Sequence, residues 1–263
     1  MESDQSPYLT THPPYLDEAL LQLASGKPYN AAVFDAVSIS FGWSAKDAFV
    51  CACVIAPQDQ SIGSVDHACM RLENLFKGSC VLPNGSNILM LVNLSTAGLS
   101  RDQVISSLLY LQREYVMKIG YSYEFQGIEN LRLYYLQASL ALELGQKFDS
   151  HIWIYRFETY TLRYALLNSL ETLNAIQLCH PGLIKLLNYD KEKNRNFAHT
   201  LRVYLENNMS VTHAMKKEHL QRASFQYRLQ KIQEIMHVNL DLYETRLHLL
   251  LSFQWLDLEN GIK

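Results

Sequence analysis

Cysteine is sparse, positive charge is scarce overall, and long apolar runs are missing from this 263-residue chain. The cysteines, Cys51, Cys53, Cys69, Cys80 and Cys179, form no CxxC pair and no spacing that holds zinc. Buried thiols in a reducing, cytosolic compartment are the expectation, because a free cysteine packs as a small hydrophobe. No apolar run approaches the ~20 residues of a spanning helix, and the start, MESDQSPYLTTHPPYL, has neither a basic nor an apolar signal region. The chain is therefore expected to be cytoplasmic and to have no membrane partner. No P-loop, GxSxG or HExxH occurs, and neither repeats nor low-complexity blocks are visible. A net charge of −3 and a pI near 6.3 argue against polyanion binding by the molecule as a whole. Any nucleic-acid site must be a local patch.

What is present is enough apolar material, 48%, to pack one large or two modest domains. Residues up to about Pro14 read as a lead-in, and Leu16 to Ser40 as two short helices broken at Gly26-Lys27-Pro28. Ala48 to Ala56, apolar throughout and ended by Pro57, reads as a buried central strand. Val65 to Phe76 reads as a helix, and SCVLPNGSNILMLVNL as a hairpin turning at Pro83-Asn84-Gly85. Ser100 with Gln103 forms a capping box for a helix carrying Val104, Leu108, Leu111 and Tyr115. Lys118 to Tyr123 is a candidate strand. A helical face of Leu131, Tyr135, Ala138 and Leu142 is expected to stop at Gly145, before a short strand over His151 to Tyr155. This β-α-β-β-α-β order predicts an antiparallel or mixed sheet with helices on one side. After Thr159 the pattern is helical, with the charged break Asp190 to Arg195 as the linker candidate.

The basic residues cluster late. Between His213 and Lys231, Lys216, Lys217, Arg222, Arg228 and Lys231 face only one carboxylate, Glu218. Phe197, Leu201, Tyr204 and Leu205 mark a helix ending at Asn207-Asn208, and Ser210 is an N-cap for a second helix with Val211, Ala214 and Met215 inward. After a turn near His219 to Gln221, Phe225, Leu229, Ile232 and Met236 share one face of a third helix. Arg222, Ala223, Gln226 and Gln230 then point to solvent or a ligand. A short helix, a tight turn and a longer helix opening on Arg, Ser and Gln is the helix-turn-helix arrangement. Arginine can fork onto guanine, glutamine can pair with adenine, and Ser224 or a helix N-terminus can bind phosphate. The same pattern also describes an ordinary solvated helix face.

From His180 onward the chain resembles the C-terminal domain of PucR/CdaR-type bacterial transcription regulators. Arg222, Ser224, Phe225, Tyr227, Arg228, Leu229, Lys231 and Ile232 follow that family's pattern L-x-x-H-R-N-T-L-x-Y-R-L-x-R-I, and Leu187-x-Tyr189-Asp190, Thr200-Leu201-x-x-Tyr204-Leu205, Leu240 and Arg246-Leu247-x-Leu249 extend the match. Two departures stand out. The family's His-Arg-Asn-Thr is Gln221-Arg222-Ala223-Ser224 here, and Glu218 stands where the family has a core leucine. An unpaired buried carboxylate is costly, so Glu218 is expected to turn outward or to pair with Lys217 or Arg222. Phe41 to Phe157 resembles the GGDEF-like domain of the same family, through Gly120-Tyr121-Ser122, Leu131, Ala138 and Ala141. Its hairpin reads Asn84-Gly85-Ser86-Asn87-Ile88 where related diguanylate cyclases carry carboxylates, so the metal-dependent phosphoryl transfer of those enzymes lacks its ligands.

The resemblance implies an α+β, degenerate GGDEF-like (ferredoxin-like palm) domain followed by an all-α helix-turn-helix domain. The expected limits are 1–45 for the lead-in and helices, 46–158 for the GGDEF-like domain, 159–194 for a helical linker and 195–263 for the DNA-binding domain. No enzyme activity, cofactor or metal site is expected; Cys179-His180 lacks further ligands nearby in sequence. The expected partners are double-stranded DNA, a second copy of the chain, and a small-molecule or protein effector. The chain begins close to the GGDEF-like domain, so the family's usual N-terminal sensor is expected to be missing. Gln221, Arg222, Ser224 and Gln226 are expected near base edges. Ala223, Tyr227, Arg228, Lys231, Ser210, Thr212, Lys216 and Lys217 are expected at the DNA or supporting the fold around it. The competing reading is a degenerate helix-turn-helix that binds a protein partner, and an enzyme of unrecognised chemistry is the third.

Overall fold

The computed structural model describes residues 13–27, 31–55, 65–112 and 117–261. Most of the lead-in, the strand end at Pro57 and the helix end at Tyr115 fall outside them. The chain divides into two compact units, Met1–Tyr164 and Ala165–Lys263. Among the described residues no helix is long and apolar enough to cross a membrane.

The first unit is built from α1 (Pro14–Ser25), α2 (Ala31–Phe41), β1 (Ala48–Ile55), α3 (Val65–Glu73), β2 (Cys80–Asn84), β3 (Asn87–Asn93), α4 (Leu94–Ala97), α5 (Arg101–Gln112), β4 (Ile119–Gln126), α6 (Leu131–Phe148) and β5 (Ile154–Arg156). The strands form one sheet in the order β2-β3-β1-β4-β5, antiparallel except where β5 joins β4. The central strand β1 is buried almost from end to end. Its two faces have different cover: Val50, Ala52 and Val54 pack with Leu72 of α3 and Leu108 of α5, while Phe49 and Cys51 pack with Leu16 and Leu20 of α1 and Leu131 of α6. Helices thus lie on both faces rather than on one. The uninterrupted apolar run of β1 requires this, since a half-exposed strand would alternate.

The expected capping box is in place. Ser100 N–H donates to Gln103 Oε1 at 2.8 Å, and Gln103 N–H donates to Ser100 Oγ at 3.3 Å. Where the β1–β4 register shifts between Val50 and Ala52, the buried Ser122 hydroxyl accepts from Cys51 N–H at 3.0 Å, which satisfies a donor that the ladder leaves free. Helix α6 does not stop at Gly145 but runs on to Phe148. Gly145 is there for space: a Cβ on it would lie 2.0 Å from the Tyr155 ring. Gly120 of β4 is closed off by main chain instead, with a Cβ position 2.2 Å from the Ala138 carbonyl oxygen. These two glycines let α6 lie directly on the sheet.

The boundary between the units falls within α7 (Phe157–Ser169). The second unit continues with α8 (Ala175–Leu178), α9 (Pro181–Lys193), α10 (Phe197–Glu206), α11 (Val211–Lys217), α12 (Arg222–Met236) and α13 (Tyr243–Glu259). Leu183 and Leu186 of α9 share a core with Leu201 and Leu205 of α10, Ile232 and Met236 of α12, and Leu249 and Phe253 of α13. Most of the charged break at Asp190 to Arg195 is the last turn of α9. The Cys179-His180 pair is structural. Cys179 Sγ donates to the Ser252 carbonyl, and His180 Nδ1 accepts from Gly182 N–H at 3.0 Å to cap α9. Burial and the neighbouring His248 lower the His180 pKa.

Gly120→Ala is expected to cost about 3 kcal/mol of the first unit's stability, measured by urea unfolding, because backbone must move to admit the methyl group. For His180, the unfolded chain binds a proton more readily than the folded one. Its contribution is therefore complete above the unfolded pKa of about 6.5 and is lost as pH falls toward the depressed folded value. Thermal melts across that window should show the second unit weakening in acid, and His180→Asn, which caps without titrating, should flatten the slope.

Candidate nucleic-acid interface

Helix α10 ends where Asn208 and Met209 both take left-handed backbone, with φ of 53° and 59°. The chain reverses there and Ser210 caps α11, its Oγ accepting from His213 N–H at 3.3 Å. Helix α11 is closed by a two-bond motif. His219 N–H donates to the Lys216 carbonyl at 3.2 Å and Leu220 N–H to the Met215 carbonyl at 2.9 Å, with His219 at φ 54°. Leu220 and Met215 then pack together against Ala214 and Phe225. This turn sends the chain into α12 with Gln221 as an extended N-cap whose side chain makes no cap bond.

Helix α12 buries Phe225, Ile232 and Met236. Arg222, Ala223, Ser224, Gln226, Tyr227 and Gln230 are exposed around the rest of its surface, Tyr227 to 59%. Gln221, Thr212, Lys216 and Lys217 are exposed as well. Lys216, Lys217 and Arg222 make no ion pair among the described residues, so their charge is available to an external anion. Three candidates are otherwise engaged. Ser210 serves its own helix cap. Lys231 Nζ lies 2.6 Å from Glu234 Oε2, an exposed pair that raises the lysine pKa and lowers that of the glutamate. Arg228 is drawn toward the interior.

The cause is Glu218. Its side chain is neither turned outward nor paired with Lys217 or Arg222; it is 7% exposed and points inward. Thr200 Oγ1 donates to Glu218 Oε2 at 2.9 Å, His199 Nε2 lies 2.9 Å from Oε1, and Arg228 Nη1 lies 3.7 Å from Oε2. Arg228 Nη1 also donates to Thr200 Oγ1 at 3.0 Å. The carboxylate has partners on both neighbouring helices, which is what allows a charge at a position suited to leucine. Nothing local in the sequence marks this network. Its partners on α10 and α12 come together only through the turn.

An open groove of about 1070 Å³ runs between α12 and the α9–α10 loop, lined by Asn194, Arg195, Asn196, Ser224 and Tyr227 among others. The loop is fixed by Asp190: its carbonyl accepts from Arg195 N–H at 2.9 Å and its Oδ2 from Ala198 N–H at 2.8 Å. An exposed arginine, two lysines, two glutamines, a serine and a tyrosine thus gather around the start of α12. Such a set can neutralise phosphates and fork onto base edges.

Residues 197–255 match a family model described as the PucR C-terminal helix-turn-helix domain. Residues 20–144 match one described as the GGDEF-like domain. A comparison with curated proteins returned no match. Among solved structures, the crystal structure of a regulator of polyketide synthase expression from Bifidobacterium adolescentis is similar, at 14% identity and a TM-score of 0.43, over 94% of this chain and 99% of that one.

The network around Glu218 should behave as one unit. Arg228→Ala and Glu218→Ala are each expected to destabilise the second unit by about 1–3 kcal/mol, and the double variant by less than the sum of the two, in urea unfolding of all three proteins.

Proposed function

Since the chain belongs to the PucR/CdaR-type family, with a GGDEF-like domain ahead of a helix-turn-helix domain, we propose that it is a DNA-binding transcriptional regulator. In this reading α12 enters the major groove of double-stranded DNA. Arg222, Gln226, Gln221 and Ser224 read base edges, while Lys216, Lys217, Thr212 and Tyr227 hold the backbone. The observation that carries it is the start of α12, where Gln221 and Arg222 stand exposed close in the chain to Lys216 and Lys217, which make no ion pair among the described residues, on a helix pair held by a well-made turn. Arg228 supports this surface by holding Glu218.

One such helix covers only a few base pairs, so useful selectivity calls for a homodimer on two half-sites. The GGDEF-like domain acts in the cytoplasm as a non-catalytic module for dimerisation or for relaying an effector, either a small molecule or a protein. Its hairpin tip supports this, because Asn84, Gly85, Ser86 and Asn87 offer no carboxylate for a metal ion. Asn84 Nδ2 instead donates to the Tyr135 hydroxyl at 2.8 Å.

A second reading, a protein-interaction module, draws on Ala223, which presents a methyl group where the family has a polar asparagine, and on the engagement of Arg228 and Lys231 by carboxylates. Selection of bound DNA from randomised duplexes separates the two. A paired, roughly palindromic motif is expected for the regulator, and salt-sensitive binding without a motif for the alternative. In the first case Arg222→Ala should cost about 1–3 kcal/mol of binding and relax the preference at one position of each half-site.

A further inference from the structure

Three cations line the groove beside α12: Arg195, Arg228 and Lys231. Two of them have carboxylate partners, Arg228 with Glu218 and Lys231 with Glu234. Arg195 differs. It is exposed, and its guanidinium makes no hydrogen bond or ion pair among the described residues. Its backbone is held instead, because Arg195 N–H and Ala198 N–H both donate to Asp190 and Asn194 takes the left-handed conformation, φ 49°, that ends α9. Exposed Lys191 and Lys193 precede it in the same turn, with Glu192 the carboxylate between them. The groove therefore has one wall with a free arginine and another with the Ser224 hydroxyl and the exposed Tyr227 ring.

We propose that this groove seats a DNA strand and that the α9–α10 loop is a second DNA-contacting element, with Arg195 binding a backbone phosphate. The inference rests on the reading of α12 as the helix that enters DNA. Charge complementarity selects the occupant. A helix in the major groove has a phosphate strand along each flank, and the groove beside α12 offers a planar two-pronged donor with its charge unopposed. Arg195 lies two residues before the segment that matches the helix-turn-helix family, 197–255. A role there is thus additional to the helix pair itself.

The test uses the full chain and randomised duplex DNA in fluorescence anisotropy between about 50 and 200 mM salt, where each phosphate contact contributes about 0.9 to the log–log slope. Arg195→Ala, Arg195→Lys, Arg222→Ala and the unaltered protein are compared, with thermal melts confirming that each remains folded. Arg195→Ala should weaken binding to every duplex by roughly tenfold and make the slope shallower by about 0.9, with the selected motif unchanged. Arg195→Lys should keep the slope. If Arg195→Ala leaves affinity and slope intact while Arg222→Ala disrupts binding, the loop contact is refuted and the reading of α12 stands. If the unaltered, folded protein binds no duplex, both are refuted together.

Discussion

A single buried carboxylate governs the geometry of the helix-turn-helix. Glu218 ends α11, and its carboxylate is held by Thr200 and His199 of α10, with Arg228 of α12 at ion-pair distance and hydrogen-bonded to Thr200. Removing that charge from water is unfavourable, and only a full set of donors offsets it. Apolar packing at this point would tolerate small rotations of α12. Directed hydrogen bonds to Thr200, itself buried, tolerate fewer. Arg228 is consequently withdrawn into the support of the helix pair, and the cations available to a ligand are those at the start of α12, at the end of α11 and in the preceding loop.

The first unit rests on a comparable restriction of space. Gly120 and Gly145 bring α6 onto β4 and β5, and the Tyr135 hydroxyl on that helix accepts from Asn84 at the tip of the β2–β3 hairpin. Burial, reinforced by the nearby Cys53 thiol, pushes the Tyr135 pKa up, so the hydroxyl stays protonated at neutral pH. The β2–β3 hairpin is thus tied at Asn84 by a neutral hydrogen bond to the helix behind it.

Much of this was legible in the sequence. The apolar run at Ala48 to Ile55, the capping pair Ser100 and Gln103, the N-cap Ser210 and the opposed faces of α12 all follow from local rules, and the structure contains each of them. What was not legible depends on residues far apart in the chain. Gly145 looked like a helix stop, yet it accommodates Tyr155 from the next strand. Glu218 looked misplaced because its partners lie on two other helices. Arg195 stood in a charged stretch that reads as a linker until α9 is seen to share the core of the second unit. Helices on both faces could have been inferred, because a strand as apolar as β1 has no side to leave wet.

Asp190 is the feature with the widest reach for its size. Its carbonyl and carboxylate together fasten both ends of a three-residue loop, so the main chain of Asn194, Arg195 and Asn196 has little freedom left to lose when a partner arrives. The entropy of ordering that loop is met during folding, so a phosphate bound as proposed has only the rotamers of one arginine to restrain, a cost of about 0.5–1.5 kcal/mol. Under the proposed role, a weak and easily reversed contact of this kind suits a regulator that samples many DNA sequences before it stops at one.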